Sequence, residues 1–345
     1  MLVVEIFNHN LNFKTPGGTS RGILKNKPTW YIKIYYGNKP SVYGLGECGP
    51  IEGLSIESGN KMMNQLKKVQ KSINDLSSLD LSLFPSIQFG IESALRDLKN
   101  GGKRIIFQNS FLEGKPIKIN GLIWMGNKDF MLNQIKSKIE KGFSCLKLKI
   151  GSIDFMEEIS ILKNIRKQFS SKILEIRVDA NGALSNKDVL KKLDTLGELN
   201  IHSIEQPIAI NQWDYLKEIC EKSPIPIALD EELIHLKKEK NEFIKYISPH
   251  YIVLKPTLIG GFEATKKWIN IAKKNNINWW VTSALESNVG LNAIAQFCAN
   301  YQLTLSQGLG TGQLFSNNIT SPLEIKGEYI FYEKNKTWDL SNFEK

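Results

Sequence analysis

Five ionisable side chains recur at nearly equal intervals through the second half of the chain, and each follows a short apolar segment. They are Lys149, Asp179, Glu205, Asp230 and Lys255. Successive members are 30, 26, 25 and 25 residues apart, which is close to the length of one strand-plus-helix unit. Side chains at equivalent positions on successive strands meet in one place. Three carboxylates and two amines brought together could bind a divalent ion and move a proton.

Carboxylate oxygens are the ligands that Mg²⁺ prefers, so Asp179, Glu205 and Asp230 are predicted to bind this ion, with Mn²⁺ as a possible replacement. In "KLKIG", alternation along a strand places Lys147 and Lys149 on one face. A like charge and a divalent cation nearby favour the neutral amine, so Lys149 is predicted to be a general base. Lys147 is expected to pair with an anionic substrate.

A lysine base beside Mg²⁺ suits removal of a proton from the carbon next to a carboxylate. The enediolate that results carries two negative charges on oxygen, and a metal stabilises that charge. Lys255 would lie across the site from Lys149.

The elements that must position these groups alternate regularly from about residue 117. Eight segments are predicted as strands: IKINGLIW, SCLKLKI, LEIRVDA, IHSIEQP, IPIALDE, YIVLKP, INWWVTS and LTLSQ. Segments whose apolar residues recur with the period of an α-helix separate these strands. This alternation predicts an α/β fold, a TIM-like barrel with its active site at the carboxyl ends of the strands. The earlier residues place strands before helices, as in an α+β domain. We therefore expect an α+β domain at 1–115, completed by the tail 311–345, and a barrel at 116–310.

Composition limits the possible partners. The 345 residues carry a net charge of +10, with lysines spread over amphipathic helices rather than gathered in one patch. This predicts an anionic small-molecule substrate and no nucleic-acid partner. We find no signal-peptide pattern and no apolar run long enough for a bilayer, so no membrane partner and a cytoplasmic location are expected. Whether the chain forms a homo-oligomer is left open.

The motifs KLKIG, DANGA, EQP, DEE, LKP and SALESNVGL, in this order, resemble the enolase superfamily, muconate-lactonising subgroup. The resemblance covers nearly the whole chain. It implies a modified (β/α)7β TIM-like barrel with an α+β capping domain, in which GECGP is the active-site loop. FGIESALRDL, INGLIWMG and Arg177 are similar to the o-succinylbenzoate synthases, lyases of menaquinone (vitamin K2) biosynthesis. The Asp-x-Asp usual in the subgroup's dipeptide epimerases is missing from LSQGLGTG.

The resemblance implies a Mg²⁺-dependent syn dehydration of 2-succinyl-6-hydroxy-2,4-cyclohexadiene-1-carboxylate to o-succinylbenzoate. Lys149 would remove the proton next to the ring carboxylate and, once protonated, assist departure of hydroxide as water. Lys255 would stabilise the intermediate electrostatically. Further residues are predicted to bind substrate: Lys147, Asn181, Arg177, Ser287, Asn288, Gly290 and Arg21.

The last four of these residues lie in loops or at a helix start. Ser287, Asn288 and Gly290 precede or begin a helix, where free N–H groups favour a carboxylate. Arg21 lies in the loop TPGGTSRG and would close over the substrate. Asn181, Glu231 and Glu286 either orient the metal ligands or are simple loop residues.

Several alternatives remain open from the sequence. Taken singly, KLK could be an exposed strand pair, and Asp179 could cap a helix. The same site could serve an N-succinylamino acid racemase, a dipeptide epimerase or a muconate cycloisomerase. A basic nucleic-acid-binding protein and an inactive binding relative are further alternatives. The nucleic-acid-binding protein predicts retention of DNA or RNA that falls steeply with salt concentration. The inactive relative is disfavoured because every acidic and basic residue of the predicted site is present.

Overall fold

A computed structural model describes residues 1–19, 22–57, 59–151, 153–236 and 238–344. The predicted substrate contact Arg21 lies outside these residues. The N-terminal part begins with a three-stranded antiparallel sheet, in the order β1 (Leu2–Thr19), β2 (Gly22–Tyr36) and β3 (Lys39–Cys48). Two helices follow, α1 (Gly59–Ser72) and α2 (Pro85–Lys99), with a 3₁₀ segment at Ile73–Ser78 between them.

Helix α2 lies directly on strand β3 because two glycines of that strand leave room for it. A Cβ atom at Gly44 would lie 1.8 Å from the carbonyl oxygen of Ala94, and one at Gly46 would lie 1.8 Å from that of Gly90. Only glycine permits so close an approach of two backbones. The apolar faces of the sheet and of both helices then form one core, with Ile32, Leu66 and others buried.

Seven parallel strands, hydrogen-bonded in chain order, form the barrel wall. They are β5 (Gly121–Ile123), β6 (Cys145–Lys149), β7 (Glu175–Asp179), β8 (Ser203–Glu205), β9 (Ile227–Leu229), β10 (Tyr251–Leu254) and β11 (Asn278–Val281). Residues 307 and 308 close the ring through parallel bridges from Gln307 to Ile119 and from Gly308 to Thr282. Closure brings all seven carboxyl ends to one rim.

Helices follow the strands around the outside of the barrel. They are α3 (Lys128–Glu140), α4 (Phe155–Gln168), α5 (Val189–Gly197), α6 (Trp213–Lys222), α7 (Glu231–His235), α8 (Lys240–Ile247), α9 (Pro256–Ile259), α10 (Gly261–Lys274) and α11 (Asn288–Cys298). The predicted fold class is confirmed. None of the helices in the described ranges is both long and apolar enough to span a bilayer.

The two ends of the predicted barrel segment differ from the sequence interpretation. The segment IKINGLIW is split: β4 (Ile117–Lys118) joins β12 (Leu323–Lys326) and β13 (Tyr329–Tyr332) in a separate antiparallel sheet, and only β5 enters the barrel. LTLSQ contributes one isolated bridge, at Gln307, rather than a regular strand, and Gly308 after it forms a second. The tail returns to the N-terminal sheet, where Phe343 packs on Phe7 and Tyr31.

Candidate active site

The barrel brings the five regularly spaced residues to one rim. Lys149 pairs in register with Asp179, which pairs with Glu205. Asp230 and Lys255 come directly after β9 and β10. All but Lys149 are less than one-tenth exposed. With Lys147, one step lower on β6, these residues are called the strand-end cluster below: Lys147, Lys149, Asp179, Glu205, Asp230 and Lys255.

Lys147 bridges two carboxylates. Its Nζ lies 2.9 Å from Asp179 Oδ2 and 2.6 Å from Glu205 Oε2. Burial on its own lowers the pKa of Lys147, but attraction to Asp179, Glu205 and Asp230 outweighs it and raises that pKa above its ordinary value. Lys147 is therefore a permanent cation in this structure and cannot serve as a base near neutral pH.

Lys149 is held in place by a short chain of polar contacts. Its Nζ donates to Asp179 Oδ2 and to Asn181 Oδ1, both at 2.7 Å, and Asn181 Nδ2 donates to Glu231 Oε1 at 2.9 Å. Burial raises the pKa of Asp179, but Lys147 and Lys149 outweigh it and hold that pKa well below its usual range. Asp179 thus stays ionised, and Asn181 and Glu231 orient the amine.

Lys255 contacts Asp230 Oδ2 on the other side of the cluster. Burial lowers the pKa of Lys255, yet Asp230, Glu231 and Glu205 outweigh it and raise the value. Glu205 lies near two other carboxylates, Asp179 and Asp230. Its pKa is raised well above normal, first by burial and then by repulsion from Asp179. The centre of the cluster therefore has a shortage of positive charge.

The donor set fits a divalent cation in chemistry, although the carboxylates are not arranged as a preformed cage. No group of three His, Cys, Asp or Glu side chains in the described ranges has the geometry of a metal site; the lysine ammoniums contact the carboxylate oxygens instead. Glu205 Oε1 and Asp230 Oδ1 are nevertheless buried, and neither has a hydrogen-bond partner among the described residues. Buried charged oxygens are normally paired or bound to metal. These two atoms are where a hard cation would be held.

A cavity opens directly above the cluster, between the barrel rim and the N-terminal part. Lys147, Lys149 and Lys255 line its floor. The walls come from both parts of the chain: Leu24, Ile51, Glu52, Leu54, Asn120, Leu122, Trp124, Thr282, Ser283, Ala284, Leu285, Gly308, Gly310 and Thr311. Three amines that converge on one largely apolar cavity favour an anionic organic molecule over water alone.

Several residues that follow the strand ends have unusual backbone conformations. Asn181, Gln206 and Leu285 have φ of 45°, 41° and 60°, in the left-handed region that non-glycine side chains seldom adopt. Gln206 Oε1 accepts the N–H of Asp230 at 3.3 Å, which fixes the start of the acidic turn. Such strain is common at functional sites, where the surrounding structure enforces it.

Ser287 and Gly290 bind an internal carboxylate, and neither they nor Asn288 line the cavity. Glu47, from the GECGP segment, accepts the N–H groups of Ser287 and Gly290, each at 2.8 Å. Asn288 is bonded to Asn318 and Ile319. The helix start is thus an anion site, as its sequence indicates, but in this structure its donors are occupied by the chain itself. Substrate contact by these residues stays a prediction.

Arg177 is enclosed within the barrel, one layer below the rim. Its Nε donates to Glu175 Oε1 at 2.7 Å, its Nη1 donates to Ser306 O at 2.9 Å, and the guanidinium lies 4.4 Å from the ring centre of Trp280. It is 1% exposed and does not line the cavity. These contacts indicate a structural role.

We expect Arg177→Leu to lower the free energy of unfolding by about 2 kcal/mol, because a buried ion pair with Glu175 is broken. Denaturant unfolding followed by circular dichroism measures this, with Arg166→Leu as a comparison at a half-buried arginine that donates to backbone carbonyls. A variant of unchanged stability whose KM rises would instead support substrate contact.

The comparisons with known proteins agree with this site. The family model described as enolase C-terminal domain-like matches residues 131–333. The chain belongs to the enolase superfamily, and the resemblance noted in the sequence is confirmed. Enzymes of this superfamily generally bind a divalent metal ion.

Individual relatives define the match more closely. The o-succinylbenzoate synthase of Desulfotalea psychrophila is 42% identical, over 92% of this chain and 95% of that protein. The crystal structure of MenC from the same organism has a TM-score of 0.87 at 38% identity, covering 96% of this chain and 99% of that one. The N-succinyl-L-Arg/Lys racemase of Bacillus cereus is 24% identical, over 98% and 89%.

Sequence reasoning missed two kinds of residue. Asn120 and Trp124 flank the first barrel strand and line the cavity, but nothing in INGLIW distinguishes a side chain that contacts ligand from one that fills the barrel. Lys27 is buried in the N-terminal sheet, but nothing in the polar segment LKNKPT marks this lysine as buried.

Proposed function

We propose that this chain is an o-succinylbenzoate synthase, a Mg²⁺-dependent lyase that converts 2-succinyl-6-hydroxy-2,4-cyclohexadiene-1-carboxylate to o-succinylbenzoate by syn dehydration. The observation that carries the proposal is the cavity with Lys149 and Lys255 on its floor and three carboxylates beneath. The match to a synthase along nearly the whole chain supports it.

Each residue of the site has a distinct role in the proposed reaction. Lys149, in contact with the cavity, takes the proton from the carbon next to the ring carboxylate, and the resulting ammonium returns a proton to the departing hydroxide. Asn181 and Asp179 orient its Nζ. Lys255 remains a cation and attracts the negative charge that develops on the substrate. Asp179, Glu205 and Asp230 would hold Mg²⁺, which when bound offsets the negative charge of the enediolate.

Charge balance favours an anionic substrate. With Lys149 neutral, as a base must be, the three carboxylates of the strand-end cluster together with Lys147 and Lys255 sum to one negative charge. A divalent ion then leaves one positive charge in a buried site, and such charge must be compensated. The ring carboxylate of the proposed substrate, next to the carbon that loses its proton, would supply this compensation.

A second activity on the same site is favoured by one observation. Lys149 and Lys255 both line one cavity, and racemisation of an N-succinylamino acid needs two lysines that reach the same carbon from opposite faces. A cytoplasmic location, the absence of nucleic-acid partners and the division at 115 and 310 stay predictions from the sequence.

The test is an ultraviolet assay of the purified chain with Mg²⁺ and the cyclohexadiene substrate, beside proton exchange in D₂O with N-succinylamino acids and dipeptides. We expect rapid formation of the aromatic product and slower or no exchange of the amino-acid α-proton. Exchange of amino-acid substrates without aromatic product would reject the synthase proposal in favour of racemase or epimerase chemistry.

A further inference from the structure

Two motifs that lie far apart in the sequence meet in a buried polar region beside the cavity. Glu47 of GECGP is fully buried, and both of its oxygens are hydrogen-bonded. Oε1 accepts the N–H of Ser287 at 2.8 Å, and Oε2 accepts the hydroxyl of Ser287 at 2.5 Å and the N–H of Gly290 at 2.8 Å. The N-terminal sheet is thus attached to the start of α11.

A second buried carboxylate, Glu286, holds the turn that forms one wall of the cavity. Its Oε2 accepts the N–H of Ala284 at 2.8 Å, and its Oε1 accepts the hydroxyl of Thr257 at 2.5 Å. Leu285, between Ala284 and Glu286 in the sequence, adopts a φ of 60°. Because Ala284 and Leu285 both line the cavity, the shape of this wall depends on where Glu286 is held.

Lys27 places an ammonium beside these two carboxylates. It lies on β2 and is 4% exposed, and its Nζ has no hydrogen-bond partner in the described part of the chain. Burial lowers the pKa of Lys27, while Glu47 and Glu286 act to raise it; in turn Lys27 lowers the pKa of Glu286, which burial raises. The three groups therefore sense one another's charge.

Two glycines leave the space that this arrangement needs. A Cβ at Gly49 would lie 2.4 Å from Lys27 Nζ and 3.3 Å from Glu47 Oε1. A Cβ at Gly290 would lie 2.7 Å from Glu286 Cγ and 2.9 Å from Glu47 Oε2. Glycine in both motifs thus has a physical reason, since any side chain would push the three charged groups apart.

We propose that Lys27, Glu47 and Glu286, called the interdomain charge cluster, position the Ala284–Leu285 wall of the cavity, and that Lys27 is a positioning residue for substrate binding. The proposal rests on the proposed function for its readout in KM. Without Lys27, two buried carboxylates face each other without a compensating ammonium in the described residues, and such repulsion favours separation of the sheet from the turn.

The test is a double-variant cycle of Lys27→Met, Glu286→Gln and both together, assayed with the cyclohexadiene substrate and by thermal unfolding. We expect Lys27→Met to raise KM about tenfold, with kcat changed less than about threefold, and to lower the unfolding midpoint. Glutamine keeps an oxygen for Ala284 and removes the charge. The double variant should therefore recover most of the lost affinity and stability.

Glu92→Gln is the matched control. Glu92 also joins the N-terminal part to a barrel helix, since its Oε2 accepts the N–H of Phe262 at 2.5 Å, but it does not line the cavity. We expect a lowered unfolding midpoint with KM within about twofold of the parent. An equal rise in KM would mean that general loosening of the two parts explains the effect and would overturn the proposal.

Other outcomes are also decisive. If Lys27→Met does not fold, a folded double variant supports the proposal and an unfolded one overturns it. The proposal is also overturned if the losses of affinity and stability in the two single variants simply add in the double variant. If the parent protein does not turn over the cyclohexadiene, the proposed function fails, whereas recovery of the unfolding midpoint in the double variant still tests the charge coupling independently.

Discussion

Replacing Lys149 by alanine is expected to lower kcat for formation of o-succinylbenzoate by about 10³-fold, equivalent to about 4 kcal/mol. Lys149 is the one lysine of the strand-end cluster whose Nζ contacts both Asp179 and the orienting Asn181, and it lines the cavity. Removing it takes away the proton acceptor while the neighbouring charges remain. The measurement is the ultraviolet assay at saturating substrate.

Lys149→Arg separates basicity from charge. Arginine restores a cation next to Asp179 but cannot be deprotonated near neutral pH, so its kcat should stay close to that of the alanine variant. A deuterium label on the substrate carbon next to the ring carboxylate should slow the parent enzyme if proton transfer limits the rate. An arginine variant with more than about one-tenth of parental activity would assign the proton transfer to another group.

The second large effect concerns Glu205. We expect Glu205→Gln to weaken Mg²⁺ binding by about 100-fold or more and to abolish turnover at millimolar Mg²⁺. Its Oε1 is buried near Asp179 and Asp230 and has no hydrogen-bond partner in the described part of the chain. An amide there removes one of the three charges that attract the ion. Calorimetric titration of the apoprotein with Mg²⁺ measures the affinity without relying on activity.

Chelation supplies the control for this prediction. EDTA should abolish turnover by the parent protein, and Mg²⁺ or Mn²⁺ should restore it, whereas the Glu205→Gln variant should recover little. Glu175→Gln, at the amino end of β7 and four residues before Asp179, is the matched carboxylate substitution and should leave Mg²⁺ affinity unchanged. Full activity of the parent after exhaustive chelation would show that the carboxylates do not act through a metal.

The charged residues at the rim of the barrel can be predicted from the sequence because two constraints act on their positions together. Barrel strands are filled with apolar side chains, so Asp230 after IAL or Lys255 after IVL is conspicuous, and βα units of similar length repeat the position. The fold class follows from this regular spacing, whereas the superfamily was indicated by the resemblance of the motifs that contain these residues. In the structure, Lys149 pairs in register with Asp179, and Asp179 pairs in register with Glu205.

Other features depend on contacts that local sequence does not contain. The start of α11 is an anion site from its sequence, but whether its anion is a substrate or Glu47, some 240 residues away, is decided only by how the two parts of the chain dock. Arg177 has the same ambiguity, since strand alternation points it inward without saying whether it meets ligand or Glu175 and Trp280. The last barrel strand reduces to isolated bridges at Gln307 and Gly308, which its apolar sequence pattern does not indicate.

The most direct test of the central claim is a crystal structure of the protein with Mn²⁺ and o-succinylbenzoate, with the metal located by anomalous scattering. The account predicts one Mn²⁺ ion bound by Asp179, Glu205 and Asp230, with the product ring lying between the Nζ atoms of Lys149 and Lys255. A metal bound elsewhere, or a product whose ring does not lie between these two amines, would contradict it.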